Sequence, residues 1–178
     1  MAPKGGKGIF LKFVRPYLKK MMKSGGPARG VYKGKVWDMP GTQVRTYRYV
    51  KRSPSETDAL RKAFNNRERK NFLTSLTDQD LAAGGIPRNQ WDKIRRGFVP
   101  EGYQVHHIKP LDDNGTNAVD NLVLIRNSPD HQLVTNHQRY LTEGMAPNDA
   151  RDLPWPFYPD GARVWPRPGS PSTARGTP

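Results

Sequence analysis

Residues 103–131 read YQVHHIKPLDDNGTNAVDNLVLIRNSPDH, and their order of residue types decides the fold. Tyr103 to Ile108 is rich in strand-forming residues, and Leu122 to Ile125 is a short apolar run of the kind that makes a buried strand. Between them, Asp112-Asp113-Asn114-Gly115-Thr116-Asn117 is dense in turn formers. Ser128 is a good N-cap and Pro129 suits the first helical position, so a helix is predicted from Pro129 to about Leu141. The unit is strand, loop, strand, helix. It places His131 in the first helical turn, where it can face the two strands.

Two adjacent histidines end the first strand. Successive strand residues point to opposite faces, so His106 and His107 cannot share one task unless the strand is distorted at its end. One is expected to bind a metal and the other to handle a proton. Cutting a phosphodiester needs those functions: a base for water, an electrophile for the developing negative charge, and help for the leaving oxygen. An imidazole with a pKa near 6.5 suits the base at neutral pH.

This arrangement strongly resembles the HNH, or His-Me finger, nucleases, whose core is a ββα-metal unit. The resemblance covers about Gly102 to Leu141. It implies that His106 is a metal ligand, His107 the general base, Asn121 (in VDNLVL) the residue whose amide pins the loop, and His131 the helix ligand. Fourteen positions separate His107 from Asn121, and ten separate Asn121 from His131. Bacteriocin-type members carry a further histidine four residues along the helix, where this chain has Thr135. His137, six residues on, would point roughly 120° away on a regular helix and is a third-ligand candidate only if that helix is irregular. The expected site therefore has two protein ligands, completed by water and phosphate, for one divalent ion. Imidazole ligation suits Zn or Ni, and an open, water-rich site suits Mg or Mn.

The extended motif, with PDHQLVTNHQ after it, looks most like the toxin branch of that family: nuclease domains of bacterial polymorphic toxins and secreted antibacterial effectors. The resemblance implies a metal-dependent DNase of little sequence preference, an injected or secreted protein acting in the target cell's cytoplasm, and an immunity protein that blocks it. An acidic inhibitor would suit a basic toxin. A phage, homing or restriction-type HNH endonuclease is the alternative. A non-catalytic basic nucleic-acid-binding protein is the second alternative.

Outward from the motif, Ser53-Pro54-Ser55 with Glu56 and Asp58 opens a helix expected to run to about Lys70, with Ala59, Leu60, Ala63 and Phe64 as its apolar stripe. For its basic residues, Arg61, Lys62, Arg67, Arg69 and Lys70, solvation is the expected role and phosphate contact the lesser alternative. Short helices are expected over Asp78 to Ala83 and Gln90 to Arg96, with Trp91 and Ile94 as core anchors. Val31 to Val50 reads as extended, with a turn at Pro40-Gly41, and Ile9 to Met22 as a short amphipathic helix too charged for a signal-peptide core. From Ala146 the chain is rich in Pro and aromatics and is expected to be irregular, with Trp155, Phe157, Tyr158 and Trp165 either strapped onto the domain or facing a partner, and the last ten or so residues disordered.

Residues 1–52 hold fourteen Lys or Arg against one acid, Asp38, a balance of +13, while the remaining sixteen basic and fifteen acidic residues leave +1 of the total +14. Such an arm would bind a polyanion with little specificity. The absence of cysteine excludes disulfides and thiolate metal sites, and no apolar run is long enough to span a bilayer. The expected fold is α+β: a ββα-metal core within a mostly helical small domain (53–145), a basic N-terminal arm (1–52) and an irregular C-terminal tail (146–178).

Overall fold

The computed structural model describes residues 23–175; the helix expected over Ile9 to Met22 lies outside them. The fold is α+β. Strands β1 (Ala28–Tyr32), β2 (Lys35–Met39) and β3 (Gln43–Val50) come first, then helices α1 (Pro54–Ala63), α2 (Arg69–Thr74), α3 (Asp78–Ala83) and α4 (Trp91–Arg95). Strands β4 (Tyr103–His107) and β5 (Leu122–Arg126), helix α5 (Gln132–Thr142), and strands β6 (Ala150–Phe157), β7 (Val164–Trp165) and β8 (Thr173–Ala174) complete it.

The N-terminal segment expected to be one extended stretch is three strands. Lys33 and Gly34 both have positive φ, 49° and 71°, the backbone that a two-residue hairpin turn requires, and Tyr32 pairs with Lys35 across it. Pro40-Gly41 makes the next turn as read, with Gly41 at φ 81° and Thr42 N–H donating to the Met39 carbonyl.

Local capping explains the helices. Ser53 and Glu56 form a capping box at α1, and Thr77 and Asp80 form one at α3. Helix α1 passes through a π-helical stretch, Phe64–Glu68, into α2, so the helical run ends at Thr74 rather than Lys70. Its inward face is Thr57 and Phe64 with half-buried Leu60; Ala59 and Ala63, expected in the stripe, are exposed. Ser128 is extended, as an N-cap should be, but makes no side-chain cap; its hydroxyl lies 3.4 Å from the Tyr32 hydroxyl, and α5 begins at Gln132.

The sheet β4-β5-β7 forms the centre. Strands β4 and β5 are antiparallel, with His106 opposite Val123 and His107 opposite Leu122. Both faces are covered. Val105, Leu122 and Leu124 join the helical core of Phe64, Phe72, Leu73, Trp91 and Ile94. Val123 and Ile125 join Leu133 and Val134 of α5 together with Met39, Val44, Tyr158 and Trp165. Burial on both sides accounts for the unbroken apolar run of β5.

Two expectations are corrected here. Residues 28–52 are not an arm, because β1 packs on α5 and β3 pairs along its whole length with β6, from Gln43↔Phe157 to Val50↔Ala150. Nor is the segment after 146 irregular throughout. Strand β6 is eight residues long despite Pro154 and Pro156, because among the described residues its sheet has two strands and leaves it a free edge. The Pro154 carbonyl faces His137, away from β3, so the missing N–H belongs to that same free edge. Strand β7 runs parallel to β5, and β8 closes on β2, where Arg175 ion-pairs with Asp38; the disorder expected of the last ten residues therefore does not extend to Thr173 and Ala174. Boundaries at 52 and 145 separate no independent units among the described residues. Trp155 and Trp165 are almost wholly enclosed, so the aromatic segment straps onto the domain.

Candidate functional site

Strand β4 ends at a cleft of about 360 Å³. Its walls are Arg61, Phe64 and Asn65 from the helical run, His106 and His107 from β4, Pro110 to Asp112 from the following loop, and His131, Thr135 and Gln138 from the helical segment after β5. Three of the four histidines therefore meet in one place.

The pleat divides the adjacent pair as expected. His106 turns toward the helix after β5, and its ring lies 5.1 Å from that of His131, nearly perpendicular to it. His107 turns to the other face, edge-on to Phe64 at 4.5 Å. Burial lowers the pKa of all three. The effect is largest at His106, where the neighbouring imidazoles add to it. At His107 the hydrogen bond to Asn117 opposes the shift and the Arg61 charge reinforces it. All three imidazoles are thereby held neutral at neutral pH, the form that binds a metal or accepts a proton.

Asn117 sets the tautomer of His107. Its amide nitrogen donates to the Leu60 carbonyl at 3.0 Å, which leaves Oδ1 as the acceptor. His107 Nε2–H donates to that oxygen at 2.9 Å, so Nδ1 carries the lone pair. Asn121 acts one step further out. Its Oδ1 accepts from Lys109 N–H at 2.8 Å, and its Nδ2 donates to the Lys109 and Thr116 carbonyls at 2.9 and 2.8 Å. It thus ties the two ends of the loop together beside Asn117.

The rest of the loop is anchored from the end of β3 and the two residues that follow it. Arg52 Nη1 donates to the Leu111 and Gly115 carbonyls at 2.5 and 3.0 Å, and Val50 N–H donates to the buried Asp113 carboxylate at 2.5 Å. Asp112 bonds Lys51 at 2.6 Å and Gln138 at 2.8 Å. Gly115 is needed because a Cβ there would sit 2.0 Å from the Lys109 carbonyl oxygen and 2.4 Å from that of Pro110. Neither is a flexible side-chain end. Gly115→Ala is therefore expected to destabilise the protein by about 1–3 kcal/mol, or roughly 2–4 °C in Tm per kcal/mol for a domain of this size. A thermal melt checks this; an unchanged Tm would show that the loop relaxes freely.

His137 is not brought to the cleft. Helix α5 is regular there, and the side chain is buried against Trp155 with Nε2–H donating to the Pro154 carbonyl at 2.8 Å. The third-ligand candidate is therefore a packing residue. Burial pushes its pKa down from 6.5 to about 4, opposed by that bond. Below the ordinary value the unfolded chain binds the proton more readily than the folded one, so stability falls as pH drops from 6.5 toward 4. At about 1.36 kcal/mol per unit, His137 accounts for a loss of about 3 kcal/mol. Urea melts at pH 7 and pH 4.5 are expected to show a pH dependence that shrinks in His137→Gln; an unchanged dependence would assign it to other groups.

Among the described residues no group of three or more His, Cys, Asp or Glu side chains forms a metal cage. The donor set is instead two neutral imidazoles opening on one cleft, with the neighbouring Asp112 already engaged by Lys51 and Gln138. That set fits an ion completing its coordination with water or substrate oxygen. Of the cations near the motif, Arg126 pairs with buried Asp130, Arg95 pairs with Asp78 and Asp92, and Lys109 lies over the Tyr47 ring. Sequence reasoning missed Asn117 and Phe64, and held phosphate contact by Arg61 only as a lesser alternative. Asn117 looked like one more turn residue, and Arg61 like one of several cations on a solvated helix.

The chain is 37% identical over 126 residues to "Uncharacterized protein YhhZ" of Escherichia coli (strain K12), a match covering 71% of this chain and 32% of that protein. The chain thus spans about a third of the length of this curated relative. No protein-family model matches the chain, and no solved structure does.

Proposed function

We propose that this chain is a metal-dependent endonuclease that hydrolyses DNA with little sequence preference, the toxin domain of a secreted antibacterial effector. The observation that carries the reading is the pairing of His107, held in one tautomer by Asn117, with the His106–His131 pair in the same cleft. Pure binding gives no reason to orient a neutral imidazole this way.

In this reading His107 Nδ1 takes the proton from the attacking water while Nε2–H stays on Asn117. His106 and His131 would hold one divalent ion, which when bound supplies positive charge for the pentavalent phosphate and the leaving 3′ oxygen. Asn121 keeps the loop closed so that Asn117, and through it the base, stays aimed. Arg61, on the cleft wall, supplies positive charge facing the phosphate. The partner implied for the producing cell is an acidic immunity protein, whose association with a chain of net charge +14 would be electrostatically fast.

The test is nicking of supercoiled plasmid by the folded protein with Mg, Mn, Ni or Zn, and with EDTA. Metal-dependent nicking is expected, and no cleavage with any of the four ions would overturn the reading. Asn117→Ala is expected to lower the single-turnover rate by roughly 10–100-fold, the usual cost of losing an orienting partner. An undiminished rate would mean that His107 is aimed by something else.

A further inference from the structure

Helices α1 and α2 are joined by a change of helical register. In the π-helical stretch Phe64–Glu68 the backbone bonds close across five residues rather than four, and Arg69 N–H donates to the Phe64 carbonyl. The wider turn absorbs one extra residue. On a regular α-helix Arg61 and Arg69 would stand about 80° apart around the axis; with one residue absorbed they stand about 20° apart, on one face. They are then roughly 12 Å apart along the axis, far enough to engage different phosphates.

That face borders the cleft. Arg61, Phe64 and Asn65 are part of its wall. The Arg69 guanidinium sits over the Phe64 ring, 6.0 Å from its centroid, and the same ring meets His107 edge-on. Arg69 and the histidine of the strand end therefore share Phe64 as a neighbour.

Neither guanidinium is committed elsewhere. Arg61 comes only to 3.9 Å from Asp58, and the two side chains are 62% and 66% exposed, so the pair is worth little. Arg69 is exposed and, among the described residues, has no carboxylate partner. The adjacent acid, Glu68, is held by Arg67 and Asn71. Contact with a ring face leaves the N–H donors of a guanidinium available, and their fork matches phosphate oxygens.

We propose that Arg61 and Arg69, aligned by the π-helical turn, form a two-point grip on the phosphate backbone of the DNA strand entering the cleft, with Arg69 as a substrate-binding residue at its rim. The proposal rests on the DNA-cleaving reading for its purpose. It gives the turn between α1 and α2 a function: a continuous α-helix would carry Arg69 away from the face that Arg61 presents.

The experiment is fluorescence anisotropy of a labelled DNA duplex with the full chain in EDTA, over a series of KCl concentrations. Wild type, Arg61→Gln, Arg69→Gln, Arg69→Lys and Arg67→Gln are compared, each with a thermal melt to confirm the fold. Plasmid nicking with Mg, Mn, Ni or Zn is run in parallel. Arg61→Gln and Arg69→Gln are each expected to reduce the slope of log affinity against log salt by about 1, the signature of one lost phosphate contact. Arg69→Lys keeps the charge and is expected to keep the slope. Arg67→Gln, whose charge is already offset by Glu68, is expected to leave it unchanged. A wild-type slope in Arg69→Gln overturns the proposal. So does an equal loss in Arg67→Gln, which would mean undirected surface charge, and so does a wild-type chain that does not bind the duplex. Slopes that fall as expected without nicking by any ion would leave the grip standing and sink the nuclease reading. Nicking by wild type with an unchanged slope in Arg69→Gln would do the reverse.

Discussion

His107→Ala is expected to remove plasmid nicking, by about 10²–10⁴-fold or more, the range a positioned general base contributes. The variant keeps His106 and His131, so metal binding is expected to persist. It also keeps the cleft-wall Arg61 and the basic N-terminal residues, so DNA binding should persist as well. The cost to stability is modest. The ring packs against Phe64 and bonds Asn117, and its loss leaves Asn117 Oδ1 beside an open cleft that water can reach. Small imidazole added to the variant is expected to restore part of the rate, since the space it vacates is lined for an imidazole. Nicking at the wild-type rate by His107→Ala would sink the assignment of the base. Lost nicking together with lost metal binding would instead point to a collapsed site.

The second large effect concerns stability. Trp155 is fully buried on β6, packs at tilted angles among the rings of Tyr47, Tyr49 and His137, and donates its indole N–H to the Ile108 carbonyl at 2.9 Å. Ile108 directly follows the histidine pair, so this bond fixes the end of β4 from the C-terminal segment. Trp155→Ala is expected to cost about 3–5 kcal/mol, which lowers Tm by roughly 6–20 °C. Trp155→Phe keeps most of the packing but leaves the Ile108 carbonyl unpaired, and is expected to cost about 1–3 kcal/mol. A chain ending at residue 145 loses all of β6 and with it the whole ladder of β3, and it should not fold. Circular dichroism melts decide both points. A truncated chain with the melting profile of wild type would restore the view that the segment after 146 is an appendage.

The candidate site was legible where its chemistry is local. A histidine pair at a strand end, a turn-rich loop and a histidine just past Pro129 can be read in order, and the pleat alone separates His106 from His107. The partner of His107 was not legible. Asn117 reaches His107 only because Leu60, 57 residues earlier, offers a carbonyl that turns its amide the right way. His137 shows the opposite case, in which helical periodicity placed it off the cleft and burial then gave it a packing role.

The difference between the two ends of the chain has the same origin. Helix starts at Ser53 and Thr77, the turn at Pro40-Gly41 and the buried run of β5 depend on interactions within a few residues, so composition and spacing determine them. Whether residues 43–50 form a strand of the domain or part of a basic arm depends on whether a partner edge exists. That edge is supplied more than a hundred residues later by a segment whose prolines argue against a strand. Their missing N–H groups are harmless only on an edge that no other strand needs, and only the tertiary structure decides which edge that is. The sequence by itself determined the strand, loop, strand and helix that carry the histidines. Tertiary pairing decided what holds that unit in place, because a β-ladder draws its hydrogen bonds from residues that local sequence cannot specify.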